Sequence, residues 1–173
     1  TAILAGMEDK GAQVKSLLAA QARAALRAVD LSSELGRRSE RLLAVADLHL
    51  EKGSSYAVNA RKLLPRYDTR QTLGALATLI EAVQPRTVVC LGDSFHDKAA
   101  IERIPDPERL EIERLASRTR FVWIAGNHDP VPPPAGWGEV AEEIKAGQLV
   151  FRHEALFGCG DGEVSGHYHP VAA

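Results

Sequence analysis

The sequence predicts an α/β fold built on a largely parallel sheet with helices on its faces. Short apolar runs alternate with longer amphipathic stretches, the pattern of parallel strands joined by helical crossovers. Three of the runs close on polar clusters: Asp47-Leu48-His49, Gly92-Asp93 and Gly126-Asn127-His128-Asp129. In open sheets of this kind, ligands bind beyond the carboxyl ends of the strands, and the clusters fall there.

The elements follow in chain order. Val14, Leu17, Leu18 and Ala22 are spaced for a short amphipathic helix over 11–22, so residues 1–23 read as an N-terminal helical extension. Ala25 to Leu31 fits either the end of that helix or a strand. Leu42 to Ala46 is wholly apolar and predicts a buried strand. Asp68 is placed to cap a helix over Thr69 to Val83, with Leu73, Leu76, Ala77, Ile80 and Val83 on one face and Pro85 as its stop. A second buried strand runs from Thr87 to Leu91. Asp106-Pro107 opens another helix to about Ser117, with proline at its start. The third strand covers Arg120 to Ala125, and Pro130-Val131-Pro132-Pro133-Pro134 must be loop. Gln148 to His153 and Glu163 to His167 predict shorter strands, separated by a glycine-rich stretch at 158–162.

Bulk properties narrow the function classes. The 173 residues fit one domain, 45% hydrophobic and 25% charged, as in ordinary globular proteins. No apolar run reaches the roughly 20 residues of a membrane span, and the first residues lack the pattern of a signal peptide. Two cysteines, Cys90 and Cys159, are too few for a disulfide framework, and a cytoplasmic location is the simplest expectation. A net charge of −2 argues against a broadly basic surface that coats nucleic acid. It does not argue against a nucleic-acid enzyme, because bound cations supply positive charge at the phosphate.

The six histidines carry the functional signal. Besides the three clusters, His153 follows Arg152, His167 and His169 flank Tyr168, and His96 stands three residues after Asp93. Any one pair is an ordinary loop feature. Five polar tips, each after an apolar strand and each offering imidazole, carboxylate or amide oxygen, together predict a metal site. Asp47, His49, Asp93, Asn127, His153, His167 and His169 are the candidate ligands. Seven donors exceed what one ion takes, and two divalent ions sharing a carboxylate accommodate them. Imidazole and carboxylate without thiolate suit Mn, Fe, Zn, Co or Ni. Lys52, Arg66 and Arg70, with Arg61 and Lys62, could grip flanking phosphates, and His96 could extend the substrate site. Trp137, after the proline loop, is the candidate for base stacking at the rim.

In this order, the motifs resemble those of the calcineurin-like metallophosphoesterases. The resemblance implies a four-layer αββα sandwich of two mixed sheets flanked by helices, with the domain over 24–173. It also implies two metal sets: Asp47, His49, Asp93 and His169 for one ion, and Asp93, Asn127, His153 and His167 for the other. His128 would be the catalytic proton donor, oriented by Asp129. Around the motifs, Ala46-Asp47-Leu48-His49-Leu50-Glu51-Lys52-Gly53, Leu64-Pro65-Arg66-Tyr67-Asp68-Thr69-Arg70, Gly92-Asp93-Ser94-Phe95-His96-Asp97 and Gly166-His167-Tyr168-His169-Pro170 are similar to the ligase-associated DNA damage response endonucleases (PdeM family). That likeness implies a manganese-dependent phosphodiesterase acting on DNA, in company with an ATP-dependent ligase, an exonuclease and a helicase. Relatives continue for several strands past the last motif, so a sheet face lacking those strands is expected here. The rival expectations are a phosphodiesterase or phosphatase for small molecules such as cyclic nucleotides, and a non-catalytic metal-binding scaffold.

Overall fold

A strand with no polar side chain must be covered on both faces, and Leu42–Ala46 is. The computed structural model describes residues 27–30, 41–59, 68–128, 131–156 and 162–168. The predicted helix over 11–22, and residues Arg61, Lys62, Arg66, Asp129, Cys159 and His169, lie outside the described residues. β1 (Arg27–Asp30), β2 (Leu42–Ala46), β3 (Thr87–Cys90), β4 (Arg120–Ile124) and β5 (Glu139–Ala141) form one sheet in that order. β1 is antiparallel to β2 and the other pairings are parallel. The ambiguous stretch at 25–31 therefore holds a strand. β6 (Glu143–Ala146), β7 (Leu149–Arg152) and β8 (Glu163–Ser165) form a second mixed sheet.

Alternation along each strand divides the core in two. Leu43, Val45, Val88, Cys90, Phe121 and Trp123 face the helical layer, where they meet Leu73, Leu76, Ile80, Ile112 and Leu115. Leu42, Ala44, Ala46, Val89, Leu91 and Ile124 face the second sheet and pack on Phe151, with Ile144, Leu149 and Val164 beside it. The fold is thus the predicted sandwich of two mixed sheets with helices. Among the described residues, the helices pack against the five-stranded sheet.

That helical layer holds α1 (Lys52–Asn59), α2 (Asp68–Val83), the single turn α3 (Ala100–Arg103) and α4 (Asp106–Arg118). Asp68 does more than start its own helix. Its carboxylate accepts the Gly53 N–H in the first turn of α1 at 2.7 Å. Thr69 Oγ1 accepts the Glu51 N–H at 2.8 Å and donates to Glu51 Oε1 at 2.9 Å. These bonds fix the segment after the first polar cluster. α2 stops at Val83, before Pro85, and Pro107 lies in the first turn of α4, both as predicted.

Trp137 corrects an expectation. It is only 1% exposed, in a short 3-10 turn, with its ring near Phe95 at 6.2 Å and its carbonyl accepting the Trp123 indole N–H at 2.7 Å. Gly138, at φ 131°, lets the chain approach so closely that a Cβ there would lie 2.6 Å from the Phe121 carbonyl. Trp137 is a core residue and takes no part in a rim.

Candidate metal centre

The tips of β2 and β3 are zipped beyond the regular ladder. Asp47 N–H donates to Gly92 O at 3.3 Å, His49 N–H to Asp93 O at 2.9 Å, and Leu50 N–H to Ser94 O at 2.8 Å. His96 N–H returns the pairing by donating to Leu50 O at 3.0 Å. Within this ladder Asp47, His49 and Asp93 hold left-handed backbone conformations, with φ of 55°, 43° and 50°; His167 across the gap has φ 65°. Such conformations cost about 1 kcal/mol or more each in a residue with a side chain, and they concentrate at functional sites. Four predicted ligands share this strain, and it aims their side chains at one region.

Two donor groups result. Asp47, His49 and Asp93 bring ligand atoms within 4.8 Å of one another, and so do Asp93, His153 and His167. Asp93 belongs to both. Asp47 and Asp93 are 3% and 2% exposed, so two carboxylates stand close together away from water. Burial of that kind is costly without a compensating cation.

The second group is tighter. His153 Nδ1 lies 2.9 Å from the Leu91 carbonyl, which can only accept, so Nδ1 carries the proton and Nε2 presents its lone pair. Nε2 lies 2.8 Å from Asn127 Oδ1, 3.2 Å from His167 Nδ1 and 3.6 Å from Asp93 Oδ1. Imidazole, amide oxygen and carboxylate thus converge on one point, as the donors of a metal site do. The residues therefore fit a divalent ion, and their mix of imidazole, carboxylate and amide oxygen suits a borderline metal. In the first group, burial lowers the His49 imidazole to about 4 despite the opposing charge of Asp93, which keeps the ring neutral and ligand-competent at pH 7.

Glycines allow the two sheets to meet here. A Cβ on Gly92 would lie 2.4 Å from His153 Nδ1 and 3.0 Å from the Gly126 Cα, and Gly92 has φ 80°. A Cβ on Gly166 would fall 2.8 Å from the Leu91 carbonyl. Gly92→Ala is expected to destabilise the fold by about 2 kcal/mol or more, since it combines a left-handed conformation with a collision against a ring bonded on both sides. Urea denaturation would show this, and metal retention should fall in the same variant.

His128 lies beside both groups and is exposed. Its backbone N–H donates to Asp93 Oδ1 at 3.0 Å. Its ring meets His49 edge-on at 5.4 Å and stacks on His96 at 6.1 Å and 12°. His96 also meets His49 at 5.5 Å and Tyr56 at 5.8 Å. Burial, then Lys52, lower the His96 pKa. Asp97, next in the chain, anchors the segment. Burial opposes its ionisation, but hydrogen bonds from Arg103, Ser55 and the Ala99 N–H outweigh that and hold it at about 2. Both Arg103 NH groups reach its two oxygens, at 2.9 and 2.8 Å. A depressed carboxylate stabilises the fold above its unfolded pKa of about 4 and loses that contribution as pH falls toward 2. Asp97→Asn is therefore expected to cost about 1 kcal/mol at pH 7, with the difference vanishing near pH 2, as read from urea midpoints.

Of the predicted phosphate grips, Lys52 is exposed at the start of α1, next to the first cluster. Arg70 is engaged elsewhere: its Nε donates to Glu108 Oε1 at 2.7 Å, between α2 and α4. The contacts among His49, His96 and His128 escaped sequence reasoning, since no spacing rule links positions so far apart.

Comparisons with known proteins agree with this geometry. A comparison with curated proteins gives no match. Among solved structures, the chain is similar to the Pseudomonas putida nuclease MPE, with 28% identity and a TM-score of 0.60, over 77% of this chain. It spans 64% of the length of that nuclease. The model of the calcineurin-like phosphoesterase family, whose members imply divalent metal ions and hydrolysis of phosphoester bonds, matches residues 40–171. With two sheets meeting at a cluster of buried carboxylates and partly buried imidazoles, and three-quarters of its length matched, the chain belongs to the calcineurin-like phosphoesterases.

Proposed function

We propose that this protein hydrolyses phosphodiester bonds in DNA at a dinuclear metal centre. The sharing of Asp93 between two donor groups carries the proposal, because a carboxylate common to both can bridge two ions. In this reading Asp47, His49, Asp93 and His169 hold one ion, and Asp93, Asn127, His153 and His167 hold the other. Manganese is the metal we favour, from the likeness to the ligase-associated endonucleases and the borderline donor set. Bound ions supply charge neutralisation at the phosphate and acidify water near neutral pH.

The remaining steps belong to side chains. His128, exposed beside the centre and held through its N–H to Asp93, donates a proton to the leaving oxygen. Asp129 orients His128, and Lys52 and Arg66 steady flanking phosphates. The engagement of Arg70 with Glu108 makes it the weaker grip. Nucleic acid as the substrate is supported by the 28% likeness to a nuclease. A role in DNA damage repair, beside a ligase, an exonuclease and a helicase, rests on the motif resemblance.

The test is a parallel assay of manganese-loaded protein on single-stranded DNA, duplex DNA, a cyclic nucleotide and a generic aryl phosphodiester. Cleavage of DNA is expected. Activity on the small esters with none on either DNA would sink the nucleic-acid reading and leave a small-molecule phosphodiesterase.

A further inference from the structure

Among the described residues, Phe95, Phe121, Phe151, Trp123 and Trp137 are core, each at most 3% exposed. Tyr56 and Tyr168 are the aromatic side chains left in water, at 41% and 53%, and each lies against a histidine of the centre. An exposed aromatic residue is ordinary in itself, and its position is what informs. Tyr168 follows the proposed ligand His167 directly, so its substitution would disturb the centre. Tyr56 lies outside the ligand set, on α1.

Contacts place Tyr56 beside the centre. Its ring leans on His96 at 5.8 Å and 33°, and His96 stacks on His128 at 6.1 Å. The Tyr56 ring therefore lies within ~12 Å of the His128 ring, close enough for a base next to the scissile phosphate. Hydrogen bonds of adjacent residues hold this arrangement. Arg103 donates through Nε to Ser54 Oγ at 3.0 Å and through both NH groups to Asp97, the neighbour of His96. The Ser55 side chain bonds Asp97 as well. At the start of α1, the Lys52 N–H donates to His49 O at 3.2 Å. Lys52 and Tyr56, one helical turn apart, are both exposed and share a face of α1. A ring held in this way loses little freedom when a ligand settles on it.

We propose that Tyr56 is a stacking platform for a base beside the scissile phosphate, with Lys52 on an adjoining phosphate of the same strand. The inference rests on the nucleic-acid reading above. An aromatic ring beside a cationic group is the combination that holds single strands, and because every base has a flat face, stacking of this kind is tolerant of sequence.

Oligothymidylate and a base-free strand with the same sugar-phosphate backbone separate base contacts from phosphate contacts. In manganese-loaded protein, Tyr56→Ala should raise the KM for oligothymidylate about tenfold and change that for the base-free strand by less than about twofold. Tyr56→Phe keeps the ring and should stay within about twofold of the wild type on both strands. In a His128→Asn background, which prevents cleavage, fluorescence anisotropy should show the same loss of about tenfold in Kd for oligothymidylate alone. An equal effect of Tyr56→Ala on the two strands, zero included, overturns the proposal, as does Tyr56→Phe behaving like Tyr56→Ala. If the wild type hydrolyses an aryl phosphodiester but neither strand, the nuclease reading fails, and the anisotropy arm still decides the platform. Oligothymidylate that does not bind at all overturns both.

Discussion

His128→Asn is expected to lower kcat on DNA by about 10²–10⁴-fold, with the metal content unchanged. The side chain is exposed beside the two donor groups, and its ring is held between the edge of His49 and the face of His96. Its link to Asp93 runs through the backbone N–H, which asparagine retains. The loss should therefore come from the missing proton and leave the ligands in place. Leaving-group chemistry gives a sharper test. A DNA alkoxide needs protonation as it departs, whereas an aryl oxide with a low pKa departs unaided. The variant should thus retain much more of its activity on an aryl phosphodiester than on DNA. Equal losses on the two substrates would contradict the proton-donor role.

Asp93→Asn is expected to remove at least about 100-fold of activity and to leave one bound ion or fewer. Asp93 is the residue common to both donor groups, and its Oδ1 also accepts the His128 N–H. Asp47 belongs to one group only, so Asp47→Asn should spare the ion held by Asp93, Asn127, His153 and His167. The contrast in metal content between the two variants distinguishes a shared ligand from a merely buried carboxylate. If Asp93→Asn kept two ions, the bridging role would be wrong.

Much of this was legible in the sequence because the central strands are buried on both faces. Leu42–Ala46, Thr87–Cys90 and Arg120–Ile124 read as apolar runs, and the polar residues after them stood out for that reason. The outer pieces were harder to read. Glu139–Ala141 and Glu143–Ala146 are three and four residues long and partly exposed, too short for alternation to register. Lys52–Asn59 contains glycine and two serines and has little intrinsic helix preference. Tertiary bonds stabilise it instead, the Gly53 N–H donating to Asp68 and Arg103 Nε to Ser54 Oγ.

The site shows the same division. Asp47, His49, Asp93, His153 and His167, which the fold gathers into two donor groups, stand out in the sequence because residue type and strand-end position both point to metal chemistry. Trp137 was misread because its neighbours in sequence are loop residues, while its burial depends on Gly138 letting the chain close over Phe121. Arg70 reads as available in the sequence because its partner, Glu108, lies 38 positions away. Similarly, His96 meets His128 face to face because the Leu50 carbonyl holds the His96 N–H and Asp93 holds the His128 N–H. Local pattern finds donors, and long-range packing decides which of them meet.

The most direct measurement is the manganese content of the wild-type chain after equilibrium dialysis and removal of loosely held metal. Two ions per chain is the expected result. One ion or none, in protein that is folded, would contradict the dinuclear centre built on Asp93.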